Sequence, residues 1–171
     1  MILPIITYPN KLLKTLSREV SDFDGELHRF LDDMYETMLH SNGIGLAAIQ
    51  VANPIRALVI CLPDEEGNQP RENLLEIINP LILDPQGNTM YQEGCLSVPG
   101  FYEDVERFCT LTLRYHDRYG NECHLEATDL LSIAIQHEID HLDGKLFIEK
   151  LSYNRRKKFE KEYKKMLKEK K

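Results

Sequence analysis

His137-Glu138-Ile139-Asp140-His141 is the stretch on which the reading of this chain turns. On a helix, two histidines four residues apart share one face, about 6 Å apart along the axis. Their imidazoles can then converge on one metal ion at about 2.0–2.1 Å. Glu138 stands beside the first of them, where a carboxylate can take a proton from water activated by the metal. Ordinary residue frequencies produce this pattern by chance in under about one per cent of chains of this length. The apolar residues just before it, Leu130, Leu131, Ile133, Ala134 and Ile135, give the helix a buried face rather than a solvated one. A metal-binding helix inside the fold is the expectation.

Two histidines leave the protein's share of the coordination incomplete. A metzincin would place its third ligand six residues after His141; Gly144 satisfies the glycine of that pattern, but the final position is Phe147, which cannot ligate. A gluzincin would draw a glutamate from a later helix, and Glu160 or Glu162 lies at a suitable interval. Both sit in a Lys-rich amphipathic segment, where solvated i,i+4 pairing is the plainer account. Cys95, within Glu93-Gly94-Cys95-Leu96-Ser97-Val98-Pro99-Gly100, is the better candidate. A thiolate in a tight segment bounded by glycine and proline suits zinc or ferrous iron. Cys61, Cys109 and Cys123 lie in strand patterns and read as small buried hydrophobes. A purely structural zinc site would be closed by four protein ligands, and no fourth is evident, which weighs against a metal-stapled binding module.

Outward from this core, the 171 residues fit one domain, residues 1–171, able to bury its own core. The net charge of −7 is unevenly placed. Residues 154–171 carry ten Lys/Arg against three Glu, a local +7, so residues 1–153 carry −14. The basic tail is either a solvated helix or a surface for a polyanion. The four cysteines form no CxxC pair. The start of the chain lacks the basic n-region, long apolar core and cleavage site of a signal peptide, and no apolar run approaches the length of a membrane span. A cytoplasmic, reducing location with free thiols and no membrane association is expected.

Asp22 or Asp24 can cap a helix whose Leu27, Phe30, Leu31, Met34 and Met38 follow helical spacing, with Asn42-Gly43 as its stop. Residues 55–62 read as a buried strand and residues 63–73 as a polar loop. Residues 75–83 are an apolar run broken by Pro80, and residues 84–88 a turn. Alternation over residues 109–115 gives a half-buried strand, turned by Tyr119-Gly120-Asn121 into a second strand over residues 122–127. Thr128 or Asp129 caps the metal-binding helix, and Ser152 a terminal helix over about residues 152–171, with Phe159, Tyr163 and Met166/Leu167 facing inward. The fold class is α+β: antiparallel sheet packed around a central HExxH helix, with N-terminal and C-terminal helices. Gly43-Ile44-Gly45-Leu46-Ala47-Ala48 is no dinucleotide loop, because that motif needs a strand before it and a helix after it. No nucleotide cofactor is expected.

The chain resembles the peptide deformylase family. Three blocks carry the likeness in the family's order: Gly43-Ile44-Gly45-Leu46-Ala47-Ala48-Ile49-Gln50, Glu93-Gly94-Cys95-Leu96-Ser97 and Gln136-His137-Glu138-Ile139-Asp140-His141. The flanks agree, including Asp143-Gly144-Lys145-Leu146-Phe147 and Arg107, so the likeness spans residues 4 to about 148. The terminal helix resembles that of the bacterial class with helical C-termini. The resemblance departs at Asp129, where glycine is common, and at Ser132, where alanine is common.

That resemblance implies hydrolysis of the N-formyl group of formyl-methionine on nascent polypeptides, releasing formate, in the bacterial cytoplasm. It implies Cys95, His137 and His141 as ligands of one divalent metal, physiologically ferrous iron, with zinc, nickel or cobalt as substitutes. Glu138 would be general base and then general acid. The Gln50 amide and the Leu96 backbone N–H would serve the developing oxyanion. Gly43, Ile44, Gly45, Glu93 and Gly94 would border the substrate cleft, and Tyr91, Ile133 and Ala134 would line a pocket for the methionine side chain. Glu93 and Arg107 carry matching charges and are expected to pair, bracing the Cys95 segment. The basic terminal helix would contact the ribosome, where RNA phosphates favour Lys and Arg.

Overall fold

The computed structural model describes residues 1–169. The last two positions of the terminal helix expected at 152–171 lie outside the described residues.

Helix α1 (Gly25–His40) starts at Asp24, whose Oδ1 accepts from the Leu27 N–H at 3.0 Å. That bond satisfies one of the amides a helix start leaves unpaired. Asn42 takes a left-handed backbone (φ 59°) and the Gly43 N–H donates to the Met38 carbonyl at 2.9 Å, closing the helix where the Asn-Gly pair predicts. Leu27, Leu31, Met34 and Met38 are buried.

Five antiparallel strands follow the order β1-β2-β3-β6-β7: β1 (Gly45–Ala47), β2 (Ala57–Ile60), β3 (Leu75–Gln86), β6 (Thr110–His116) and β7 (Glu122–Thr128). All four residues of β2 are buried because the sheet is covered on both faces. Ala57 and Val59 pack with Leu31, Met34 and Met38 of α1. Leu58 and Ile60 pack with Ile135, Ile139 and Leu142 of helix α2 (Asp129–Leu142). A strand covered on both faces reads as a continuous apolar run rather than an alternation, as β2 does.

Pro80 does not end a strand. It lacks the N–H the ladder needs, and β3 slips register between Ile78 and Leu81 instead. Residues 84–86, expected in a turn, belong to β3; the reversal comes at Gly87, with φ 71°.

A separate two-stranded ribbon, β4 (Thr89–Cys95) and β5 (Val98–Arg107), closes the other side of the site. Helix α3 (Tyr153–Glu169) backs it, with Phe159 and Tyr163 buried against Tyr8, Phe101, Val98 and Val105. Met166 joins that cluster, whereas Leu167, expected to face inward, is 36% exposed. An extended segment ties the two halves together. Ile6 N–H donates to the Gln50 carbonyl at 2.8 Å, and Tyr8 N–H to the Ser97 carbonyl at 2.7 Å. The Ser97 hydroxyl donates back to the Ile6 carbonyl at 2.8 Å.

Neither expected cap holds the start of α2. Thr128 makes no side-chain capping bond, and Asp129 is already in the helix with φ 51°. A left-handed backbone there is the physical reason a glycine suits the position. No helix among the described residues is long and apolar enough to cross a membrane.

Candidate active site

Helix α2 sets His137 and His141 one turn apart with their Nε2 atoms 3.3 Å from each other. The end of β4 brings Cys95 Sγ to 3.3 Å from His141 Nε2. One ligand atom from each of the three lies within 4.8 Å of the others, and no other trio of His, Cys, Asp or Glu converges in this way among the described residues. Two nitrogens each about 2.1 Å from a tetrahedral centre stand about 3.4 Å apart, so the spacing fits a shared cation. Glu160 and Glu162 lie on the outward side of α3, where Glu160 pairs with Lys157 at 3.6 Å.

The donors are also electrostatically suited to a cation. Burial, with the positive charges of His137 and Arg107 nearby, holds the His141 pKa well below the ordinary imidazole value, leaving the neutral form that ligates metals. Burial also acts to lower His137, but Cys95 and Glu93 outweigh it and push its pKa well above the ordinary value. The pocket beside Cys95 therefore favours positive charge.

His137 is aimed by its other nitrogen. Its Nδ1–H donates to Glu93 Oε1 at 2.8 Å, which fixes the tautomer and turns Nε2 toward Cys95 and His141. Glu93 is in turn held by Arg107, whose Nε and Nη2 donate to it at 2.6 and 2.8 Å. The Glu93 carboxyl, which burial alone would raise, is held below its ordinary pKa by Arg107 and His137. Arg107 Nη1 also donates to Asp140 Oδ2 at 2.7 Å, joining the ribbon to α2. Next to it, Phe108 is clamped at its N–H and carbonyl by Gln136, both at 2.9 Å. The Ser132 hydroxyl adds a bond to the same carbonyl at 3.0 Å, which an alanine could not make.

Glu138 projects from α2 with its Oε1 3.8 Å from His137 Nε2, while its buried Oε2 has no protein partner. Burial pushes its pKa up to about 7. Gly45 makes room for it: a Cβ there would stand 3.0 Å from Glu138 Oε1 and 3.2 Å from its Cδ. The Gln50 Oε1 accepts from the Ala47 N–H at 2.9 Å, so its Nε2 is the atom that faces Cys95 Sγ at 3.6 Å and Ser97 Oγ at 3.1 Å.

These groups open on a cleft of about 430 Å³. Gly43, Ile44, Gly45 and Gln50 line it from the β1 side; Tyr91, Glu93, Gly94, Cys95 and Leu96 from the ribbon; Ile133, Ala134, His137 and Glu138 from α2. His141 and Arg107 lie behind the lining, both buried. The expected Glu93–Arg107 pair is present. Sequence reasoning missed Ser97, Asp140, Phe101 and Tyr102. Ser97 could have been found from its place two residues after Cys95, and Asp140 from being the second carboxylate between the histidines. Phe101 and Tyr102 lie in a strand with no recognisable alternation.

Comparison with known proteins agrees with this geometry. A family model described as polypeptide deformylase matches residues 2–157. The peptide deformylase of Wolinella succinogenes is 63% identical over 164 residues, covering 96% of this chain and 96% of that protein. The peptide deformylase of Helicobacter pylori strain P12 is 58% identical over 170 residues, covering 99% of this chain and 98% of that protein. Among solved structures, a peptide deformylase from Legionella pneumophila superposes with a TM-score of 0.89 at 35% identity, covering 100% of this chain and 99% of that one. One from Ehrlichia chaffeensis in complex with actinonin gives 0.87 at 39% identity, covering 96% and 97%. Over nearly its whole length, then, the chain belongs to the polypeptide deformylase family.

Proposed function

We propose that this protein hydrolyses the formamide at the N-terminus of formyl-methionyl polypeptides, releasing formate and a free amine. The observation that carries the reading is the convergence of Cys95 Sγ, from the ribbon, on His137 and His141, from α2, beside a buried carboxylate oxygen without a protein partner. Cys95, His137 and His141 would hold one divalent cation. Bound there, it supplies Lewis acidity and lowers the pKa of water to about 7.

The protein's own groups do the rest. Glu138, held near neutrality by burial, takes the proton of the attacking water and hands it to the departing amine. Gln50 Nε2 and the Leu96 backbone N–H donate to the oxygen on which negative charge develops; losing one such donor typically lowers turnover about a hundredfold to a thousandfold. Gly43, Ile44, Gly45, Glu93 and Gly94 border the cleft that receives the substrate backbone. Tyr91, Ile133 and Ala134 receive the methionine side chain.

For the metal we favour ferrous iron, with zinc, nickel or cobalt as working substitutes; the Cys/His₂ donor set suits any of them. A ferrous thiolate site is oxygen-sensitive, so enzyme purified without air should be markedly more active than enzyme purified in air. The protein acts as one domain in the bacterial cytoplasm, and the basic outer face of α3 docks on ribosomal RNA. Binding to ribosomes should weaken with salt and be lost when residues 155–171 are deleted; unchanged binding would remove that partner. The decisive assay for the chemistry is formate release from formyl-Met-Ala-Ser, with and without a chelator. Chelator-sensitive release is expected, and release that survives complete removal of metal would overturn the mechanism.

A further inference from the structure

The loop between β2 and β3 contributes nothing to the lining of the cleft, yet one of its side chains is tied to the cleft's wall. Residues 63–68 are exposed, whereas Gln69 is half-buried and its amide reaches inward. Gln69 Nε2 donates to the Gly43 carbonyl at 2.9 Å and to the Cys61 carbonyl at 2.7 Å. The backbone carbonyl of Gln69 accepts from the Tyr35 hydroxyl of α1 at 2.6 Å. Two residues on, the Arg71 guanidinium lies over the Tyr35 ring, 5.1 Å from its centre, and pairs with Asp32 at 3.0 Å. These contacts anchor the end of the loop to α1 and fix where the Gln69 amide stands.

Gly43 and Ile44 share one peptide unit. Such a unit is planar and trans, so its C=O and N–H point in opposite directions. Gln69 holds the carbonyl toward the loop, and the Ile44 N–H therefore points away from it. That N–H has no hydrogen-bond partner among the described residues, although the Ile44 carbonyl accepts from the Cys61 N–H at 2.9 Å. Ile44 lines the cleft. Gly43 also meets the ribbon, since a Cβ there would stand 2.8 Å from Leu96 Cδ1. The peptide unit is thus gripped by loop and ribbon, with one backbone donor left over at the wall of the cleft. Such a donor suits a carbonyl oxygen of an extended peptide.

We propose that Gln69 is a positioning residue: by holding the Gly43 carbonyl it aims the Ile44 N–H at a backbone carbonyl of the bound peptide. This rests on the deformylase reading of the site. Gln69 itself touches neither the peptide nor the reacting atoms. The carbonyl that Ile44 meets is not the one that reacts, so the bond is made equally in the bound substrate and the transition state. Its loss bears on KM and leaves kcat.

The test is steady-state kinetics of metal-loaded enzyme on formyl-Met-Ala-Ser. Gln69→Met keeps the length of the side chain and removes the donor. Gln69→Glu replaces the donor with an acceptor that repels both carbonyls. Each should raise KM by about threefold to tenfold, the range for one hydrogen bond, with kcat within about twofold of wild type. KM is indifferent to how much of a variant folds or binds metal, because incompetent molecules lower only the apparent kcat. A Gln69 that merely pins the loop predicts the other pattern, a lower kcat at unchanged KM. That pattern, or wild-type values of both constants in both variants, overturns the inference. If wild type itself releases no formate from this peptide, the deformylase reading falls first and takes the role of Gln69 with it.

Discussion

Helix α2 reaches the metal site from within the core, whereas the β4–β5 ribbon reaches it from the surface. Ile135 and Leu142 are fully buried against the five-stranded sheet, and His141 is fully buried as well. Of the seven residues of β4, only Glu93 is buried, and it is a charge. A two-stranded ribbon is marginal by itself. This one is held by the Arg107 ion pairs, by an Arg155–Glu103 pair from α3, and by the packing of Phe101 on Phe159 and Tyr163. One wall is thus fixed by apolar burial and the other by ion pairs and aromatic packing, and the three residues that could hold a metal are divided between them.

Losing the ribbon's ligand is the severest test of that division. Cys95→Ala should abolish formate release and leave the folded protein without stoichiometric metal by elemental analysis; full metal content would mean that the helix alone suffices. Gln50→Leu should retain metal yet lose about a hundredfold to a thousandfold in turnover, and near-normal rates would remove Gln50 from the chemistry. Arg107→Ala and Ile135→Ala separate the two kinds of support. The first leaves Glu93 buried without its main partner, at a cost of about 3–5 kcal/mol, and should weaken metal binding by about 10–100-fold as His137 loses its orientation. The second removes core contacts at a comparable cost of about 2–5 kcal/mol while leaving metal affinity within a few-fold. Denaturant melts and metal titrations on both variants would show whether stability and metal binding separate as described. Smallest of all, Asp129→Ala should cost about 1 kcal/mol, because alanine tolerates the left-handed backbone less well and loses a charge favourable to the helix start. A melt unchanged from wild type would count against strain at Asp129.

The same contrast decides what could be read from sequence. The apolar stripe of α1 and the HExxH helix were legible because burial on one face imposes a period on the chain, and β2 because burial on both faces leaves an unbroken apolar run. The Cys95 block was legible only as a candidate ligand. Its strands were not, because β4 buries only Glu93, a charge, and so leaves no hydrophobic alternation in Tyr91-Gln92-Glu93-Gly94. Pro80 and residues 84–86 misled for a related reason: the register shifts of β3 absorb residues that usually mark a turn. At the start of α2 the aspartate signal pointed to a cap, but the helix begins through an unusual backbone torsion that composition does not encode.

The stitching of Ile6 and Tyr8 to Gln50 and Ser97 has a mechanical consequence. Those few residues act as a spacer whose length sets the gap between the donor on one bank of the groove and the sulfur on the other. Inserting or removing a single residue there would slide the banks past each other without altering any group that meets the peptide. Catalytic alignment in this enzyme is therefore governed partly by a stretch of chain that remains outside the reaction altogether.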